Sequence, residues 1–221
     1  MIQIRGLAFD SPEGRLLMEG LDLEVRRGAT LLVSGASGSG KSRLLKVMAG
    51  TERPRQGEVR IAGHLIWPGD GALSLAGRVR MGFAFAAGGL LSNLSVEDNV
   101  ALPLRFLGLP PAEVVRRAGA ALERLGLESV AKLRPHAVSG SARKHANLAR
   151  VLALEPELVL LDEPLEGLDA ADRALAQELI QAWAGDPACT LVMASEEAQT
   201  LPGLAADHLQ LAPAPMPMEC P

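Results

Sequence analysis

The sequence predicts an α/β protein, a doubly wound parallel-sheet core carrying an inserted helical subdomain, and three observations support that fold class. The apolar run "ATLLVSG" leads straight into the glycine-rich turn "GASGSGKS" and then into "KSRLLKVMAG", which has helical spacing until Gly50 stops it. Strand, phosphate-binding loop and helix in that order give the motif its context. Two further runs, "ELVLLDEP" and "CTLVMAS", flank the helical segment "DRALAQELIQAW". Continuous apolar strands alternating with helices belong to parallel sheets covered on both faces. Between these halves, after the strand "VRMGFAF", the chain turns helical.

Taken in order, "MIQIRGLAF", "LDLEV" and "EVRIAG" are short β-like runs separated by Gly, Pro and charged turns, as in hairpins. Ser95, with Asp98 three residues on, opens a helix over "VEDNVALPLRFL", and Pro110 and Pro111 precede another over "PAEVVRRAGAALERLGL". These elements divide a single domain, 1–221, into a nucleotide-binding core at 1–86 and 157–212, a helical subdomain at 87–156 and a flexible tail at 213–221. The tail follows from the proline-biased end "APAPMPMECP".

A length of 221 residues suits one substantial domain. The formal charge of −4 provides no basic field, so nucleic acid is not the expected partner. Cys189 and Cys220 are far apart and in no metal-ligand spacing, which favours a reducing, cytoplasmic location. "MIQIRGLAFD" carries charge at Arg5 and Asp10, so a mature start without a signal peptide is expected. The uncharged stretch Met81–Val96 contains Gly, Ser and Asn and falls short of the ~20 apolar residues of a membrane span, so membrane contact is expected through another chain.

"GASGSGKS" fits G-x-x-x-x-G-K-[ST]. Gly35, Gly38 and Gly40 let backbone amides approach phosphate, Lys41 brings a point charge to the β and γ phosphates, and Ser42 can ligate magnesium. The expected nucleotide contacts are Gly35, Ala36, Ser37, Gly38, Ser39, Gly40, Lys41, Ser42 and Arg43, with Lys41 also counted as catalytic. Asp162, at the end of "LVLLD", can hold the magnesium directly or through water, and Glu163 is the candidate general base for an attacking water.

"GASGSGKS", then "VSGSARKHANLARVLALEPELVLLDEP", then "EGLD" resemble the nucleotide-binding subunit of an ABC transporter over nearly the whole chain. The resemblance implies a P-loop NTPase of the ABC-ATPase fold: a RecA-like core, an N-terminal antiparallel β subdomain and an inserted helical subdomain. It places Walker A at 35–42, the signature at 138–142, Walker B at 158–163 and the D-loop at 167–169. It also implies ATP with Mg2+ sandwiched in a head-to-tail dimer, where Ser139 and Gly140 of one chain meet the phosphate loop of a second ATPase chain, the same or different. Further implied are a permease transmembrane subunit as partner and a peripheral position on the inner face of the cell membrane. "GGLLSNLSVEDNVALPLRF" and "KLRPHAVSGSARKHANLARVLALEPELVLLDEP" are most similar to the ATPase of Mla or Mce-type phospholipid transport systems, with a lipoprotein-export ATPase as the rival of the same class.

Against that family the sequence departs in five places. Ser11 stands where an aromatic residue stacks on adenine, the chain has no tyrosine, and Phe9, the nearby aromatic, is expected in the core. Ala86 stands in place of the glutamine that contacts magnesium and water, Ser141 in place of the second signature glycine, and Glu196 in place of the switch histidine. None of the histidines at 64, 136, 145 and 208 occupies that last position. Arg43 replaces a second hydroxyl and is expected to reach the α-phosphate. Hydrolysis is therefore expected to be slow, and a non-hydrolysing ATP-binding partner subunit is the alternative; a small-molecule kinase on the same loop is the reading from another class. The apolar run "GGLLSNLSVEDNVALPL", with Leu90 and Leu91, is the expected surface for the permease.

Overall fold

A computed structural model describes residues 1–11, 14–86, 89–196 and 204–212; the tail expected at 213–221 lies outside them. Two sheets share the core. In the first, β1 (Ile2–Asp10) pairs antiparallel with β2 (Leu16–Val25) on one side and β4 (Gln56–Ile61) on the other, and β5 (His64–Trp67) completes the order β2-β1-β4-β5. In the second, β3 (Thr30–Ser34), β6 (Met81–Ala84), β7 (Leu158–Asp162), β8 (Thr190–Ser195) and β9 (Asp207–Gln210) lie parallel in the order β6-β7-β8-β3-β9. Every residue of β3, β7 and β8 is buried, which is why these segments read as unbroken apolar runs.

The two-residue period of β7 divides the interior. Leu158 and Leu160 face the antiparallel sheet and α1 (Lys41–Met48), joining Ile2, Ile4, Leu44 and Leu45. Val159 and Leu161 face the other way, into the cluster built from α4 (Gly140–Ala153), α5 (Ala170–Gly185) and the inserted helices α2 (Val96–Phe106) and α3 (Pro111–Arg124). Three helices start at side-chain caps. Ser95 Oγ accepts from the Asp98 amide at 3.1 Å, Ser139 Oγ from Ala142 at 3.0 Å and Asp169 Oδ1 from Asp172 at 2.9 Å, each cap being worth about 1 kcal/mol. The loop before α2 is stapled by the fully buried Asn99, whose amide donates to Leu91 O at 3.0 Å and whose Oδ1 accepts from the Leu91 amide at 2.7 Å.

The apolar run expected as a docking surface is mostly the subdomain's own interior. Val96, Val100 and Leu104, four residues apart on one helix face, are buried, and Leu90 packs against the same cluster. Leu91 and Leu102 are its exposed large side chains. β5 and β9 were not expected from the sequence; each has only four residues, and β9 is almost wholly exposed, so neither carries an alternating pattern. No helix among the described residues is long and apolar enough to cross a membrane.

Gly82 of β6 sets how closely α4 approaches the sheet: an added Cβ would collide with Cγ1 of the buried Val151. Gly82→Ala is expected to cost ~1–3 kcal/mol by overpacking. Gly119→Ala, in α3 with nothing near its Cβ position, should instead gain ~0.5–1 kcal/mol. Denaturant unfolding of the two variants checks the opposite signs.

Candidate nucleotide-binding site

Parallel pairing brings three strand ends level. Val33 pairs with Ala194, and Ala194 with Asp162, so the chain leaves β3, β7 and β8 side by side. Segments leaving the carboxyl edge of a parallel sheet are where such folds place ligands. Here they deliver the 35–40 loop, the pair Asp162-Glu163, and Glu196.

The loop is shaped from beneath. Gly40 precedes α1 with φ 97°, and a Cβ there would lie 2.9 Å from the ring of Phe9. Phe9 is fully buried, so it is core, as the sequence reading expected, and it is unavailable to a base. Lys41 is only 5% exposed despite its charge. Its Nζ donates to Gly35 O at 2.7 Å and Ala36 O at 3.2 Å, and faces the carboxylates of Glu163 at 3.6 Å and Glu196 at 3.8 Å. Ser42 Oγ donates to Asp162 Oδ1 at 2.9 Å.

Burial dominates the acid chemistry. It raises the Asp162 carboxyl above its ordinary value, against the Ser42 hydrogen bond, the charges of Lys46 and Lys41, and a backbone hydrogen bond from Ala86. Burial likewise raises Glu163, helped by the like charges of Glu196 and Asp162 and opposed by Lys41 and by the Glu196 amide, which donates to Oε2 at 3.2 Å. Glu163 holds φ 44°, a left-handed conformation that is costly for a non-glycine residue. Lys144 of α4 secures it by donating to its carbonyl at 3.0 Å.

A cavity of about 480 Å³ opens over this group. Ser37, Gly38, Gly40, Lys41, Ser42 and Arg43 line it from the loop side, Glu163, Glu166 and Glu196 from the strand ends, and Ser11, Arg15 and Leu17 from the first hairpin. Arg15 and Leu17 were missed by sequence reasoning. They belong to no motif and reach the cavity only through pairing such as Leu16 with Asp10 and Met18 with Phe9. Arg43 lines the cavity with Nη2 held to Glu52 by a 2.6 Å ion pair, while its Nε and Nη1 are buried without a hydrogen-bond partner. Ser139 and Gly140 sit exposed at the start of α4 and do not line this cavity, so the fold of one chain does not bring them to the loop. Ser141 is the second residue of α4, and Ala86 meets Asp162 through its backbone alone. His208 Nε2 lies 2.7 Å from Ser34 Oγ at the base of the loop, while His145 is buried beside Asp172.

The arrangement fits a phosphate-bearing ligand and a hard cation. Ser39 Oγ and Glu163 Oε1 are buried without a hydrogen-bond partner, and each such atom costs free energy until one is supplied. Among the described residues no group of three His, Cys, Asp or Glu could cage a metal. One hydroxyl and one carboxylate, Ser42 and Asp162, match magnesium, which keeps most of its waters and binds substrate phosphates.

Glycine loop, buried lysine and strand-end acids on a parallel sheet define the class as a P-loop nucleotide-binding protein. The family model described as "ABC transporter" matches residues 18–166, and the chain belongs to that family as an ATP-binding domain. It is 36% identical over 210 residues to the lipoprotein-releasing system ATP-binding protein LolD of Chromohalobacter salexigens, covering 93% of this chain and 87% of that one. It is 35% identical over 182 residues to the intermembrane phospholipid transport system ATP-binding protein MlaF of Haemophilus influenzae, covering 82% and 69% respectively. Among solved structures, the dimeric bacterial ABC transporter cassette MJ0796 superposes with a TM-score of 0.86 at 25% identity, over 96% of this chain and 94% of that chain.

The raised Glu163 carboxyl gives a signed expectation. Its folded-state value exceeds the unfolded one, so the charge costs stability as pH rises from the ordinary carboxylate range, about pH 4, through the raised value. Without nucleotide, Glu163→Gln should therefore melt higher than the parent at neutral pH, and the advantage should vanish near pH 4. Thermal melts across that range check both halves.

Proposed function

We propose that this chain is the ATP-binding subunit of an ABC transporter that couples MgATP binding and slow hydrolysis to the movement of phospholipid. The observation that carries the nucleotide reading is the convergence of Lys41, Ser42, Asp162 and Glu163 around one cavity. In this reading the loop amides of 35–40 and Lys41 cradle the β and γ phosphates, with Arg43 on the adjoining wall. Ser42 and Asp162 would hold Mg2+, which supplies charge neutralisation on the phosphates. Glu163 takes the proton of an attacking water, and its raised affinity for a proton suits that role. Ser139 and Gly140 act on the loop of a second chain, the same or a partner ATPase.

Slow turnover follows from Ala86, Ser141 and Glu196. Alanine offers magnesium and water no side chain, the serine adds bulk at the start of α4, and a carboxylate faces the phosphate where a donor is wanted. Were Glu163 unable to compensate, the chain would be a non-hydrolysing partner subunit. The phospholipid cargo is supported by the similarity to MlaF, whereas the longer match to LolD favours lipoprotein export as a second reading. The chain would lie at the cytoplasmic face of the membrane and dock a permease through its helical subdomain, 87–156.

Lys41→Ala should abolish binding of a fluorescent MgATP analogue. Turnover of the isolated chain should stay below about 1 per second, under the usual enzyme range. Glu196→His with Ala86→Gln should raise turnover at least about tenfold, a fraction of the ~10²–10³ that one transition-state contact is worth, and Glu163→Gln should erase the gain. No rise would move the limiting defect to Ser141, which Ser141→Gly then tests. For docking, Leu91→Asp, at a side chain 47% exposed, should abolish co-purification with the permease and spare nucleotide binding. Retained co-purification would place the contact elsewhere.

A further inference from the structure

We propose that Glu196 is a specificity-determining residue that turns the site against the third phosphate of a nucleotide, so that the chain holds a nucleoside diphosphate more tightly than a triphosphate. The inference rests on the nucleotide-binding reading above and adds to it which phosphate chain the site prefers. The Lys41 ammonium lies between carboxylates from two different strand ends, Glu163 at 3.6 Å and Glu196 at 3.8 Å. They are held differently. The Glu163 side chain is 16% exposed at the end of β7, whereas that of Glu196 is 53% exposed at the cavity wall. The Glu196 amide donates to Glu163 Oε2 at 3.2 Å, which anchors its backbone beside Glu163 while its own carboxylate extends to the lysine.

A phosphate oxygen hydrogen-bonded to Nζ lies about 2.8 Å from it, and so within about 7 Å of the Glu196 carboxylate. A diphosphate can take the loop amides and one face of the ammonium while Glu196 keeps the other. A third phosphate must share that ammonium with Glu196 or drive the carboxylate off. At such separations two like charges in a half-exposed cavity repel enough to alter affinity by about tenfold, and salt weakens the effect. Glu163 acts on both nucleotides, being fixed by its strand end and by Lys144 at its carbonyl. Glu196 opposes both as well, but more strongly the nucleotide that carries the added charge.

The test is equilibrium binding of MgADP and of the magnesium complex of a non-hydrolysable ATP analogue to the full chain, read by calorimetry. The parent should favour the diphosphate, and the preference should narrow as ionic strength rises. Glu196→Gln should tighten the triphosphate analogue about tenfold and leave MgADP within about twofold; Glu196→Ala should do the same, since the effect is one of charge. Equal changes for both nucleotides, or none, overturn the proposal while leaving the nucleotide site standing. Failure of the parent to bind either nucleotide in a manner that Lys41→Ala abolishes overturns the nucleotide reading itself.

Discussion

The candidate site is organised around one buried ammonium. Lys41 has lost nearly all its water, and a charge in that position must be repaid by hydrogen bonds and counter-charge. Two loop carbonyls give the hydrogen bonds and two carboxylates the counter-charge, and the carboxylates come from separate strands. The requirement therefore reaches far along the chain. β3 must end where the loop starts, β7 and β8 must end at the same level, and all three must be parallel. A slip of one residue in β7 would exchange its two buried faces, turning Leu158 and Leu160 toward the helical cluster, and move Asp162 away from Ser42.

Around that ammonium the chain tolerates several unfavourable local states. Asp162 and Glu163 are adjacent acids raised by burial, Glu163 holds a left-handed backbone, and Ser39 and Glu163 keep buried oxygens without hydrogen-bond partners. Each costs stability in the free chain, and the acids and the Ser39 hydroxyl would be relieved by a ligand that brings a cation and phosphate oxygens together. Unfavourable states gathered at one strand edge over fully buried strands suit binding rather than structure. Glu196 runs against this pattern, since it brings a second carboxylate to Lys41, where phosphate would bind.

Much of this was legible in the sequence, for reasons that can be named. Fully buried strands must be unbroken apolar runs, so β3, β7 and β8 stood out; the cap at Ser95 and the glycine spacing of 35–42 follow from local geometry. What was hidden depends on partners distant in sequence. Arg15 and Leu17 line the cavity through hairpin register, Arg43 is turned by Glu52, and β9 exists only through its backbone pairing with β3. The apolar run after β6 misled because composition does not say which face of α2 turns inward.

The helical insertion is tied to the site at two points, and both ties run through α4. At one, Lys144 donates to the carbonyl of Glu163. At the other, Asn147 donates to Phe85 O at 3.0 Å, and Arg150 bridges Asn147 Oδ1 at 2.6 Å and Gly89 O at 2.7 Å. Phe85 is followed by Ala86, whose backbone hydrogen-bonds Asp162, which in turn accepts from Ser42. Hydrogen bonds and one peptide link thus join the loop that would hold phosphate to the helix capped by Ser139. With alanine at 86, the link from Asp162 to this segment is made by backbone, which can pass on the position of β6 but cannot reach a water or a cation. The side chain at that position brings no polar group while the connection between the two halves remains, the division expected of the slowly cycling subunit proposed above.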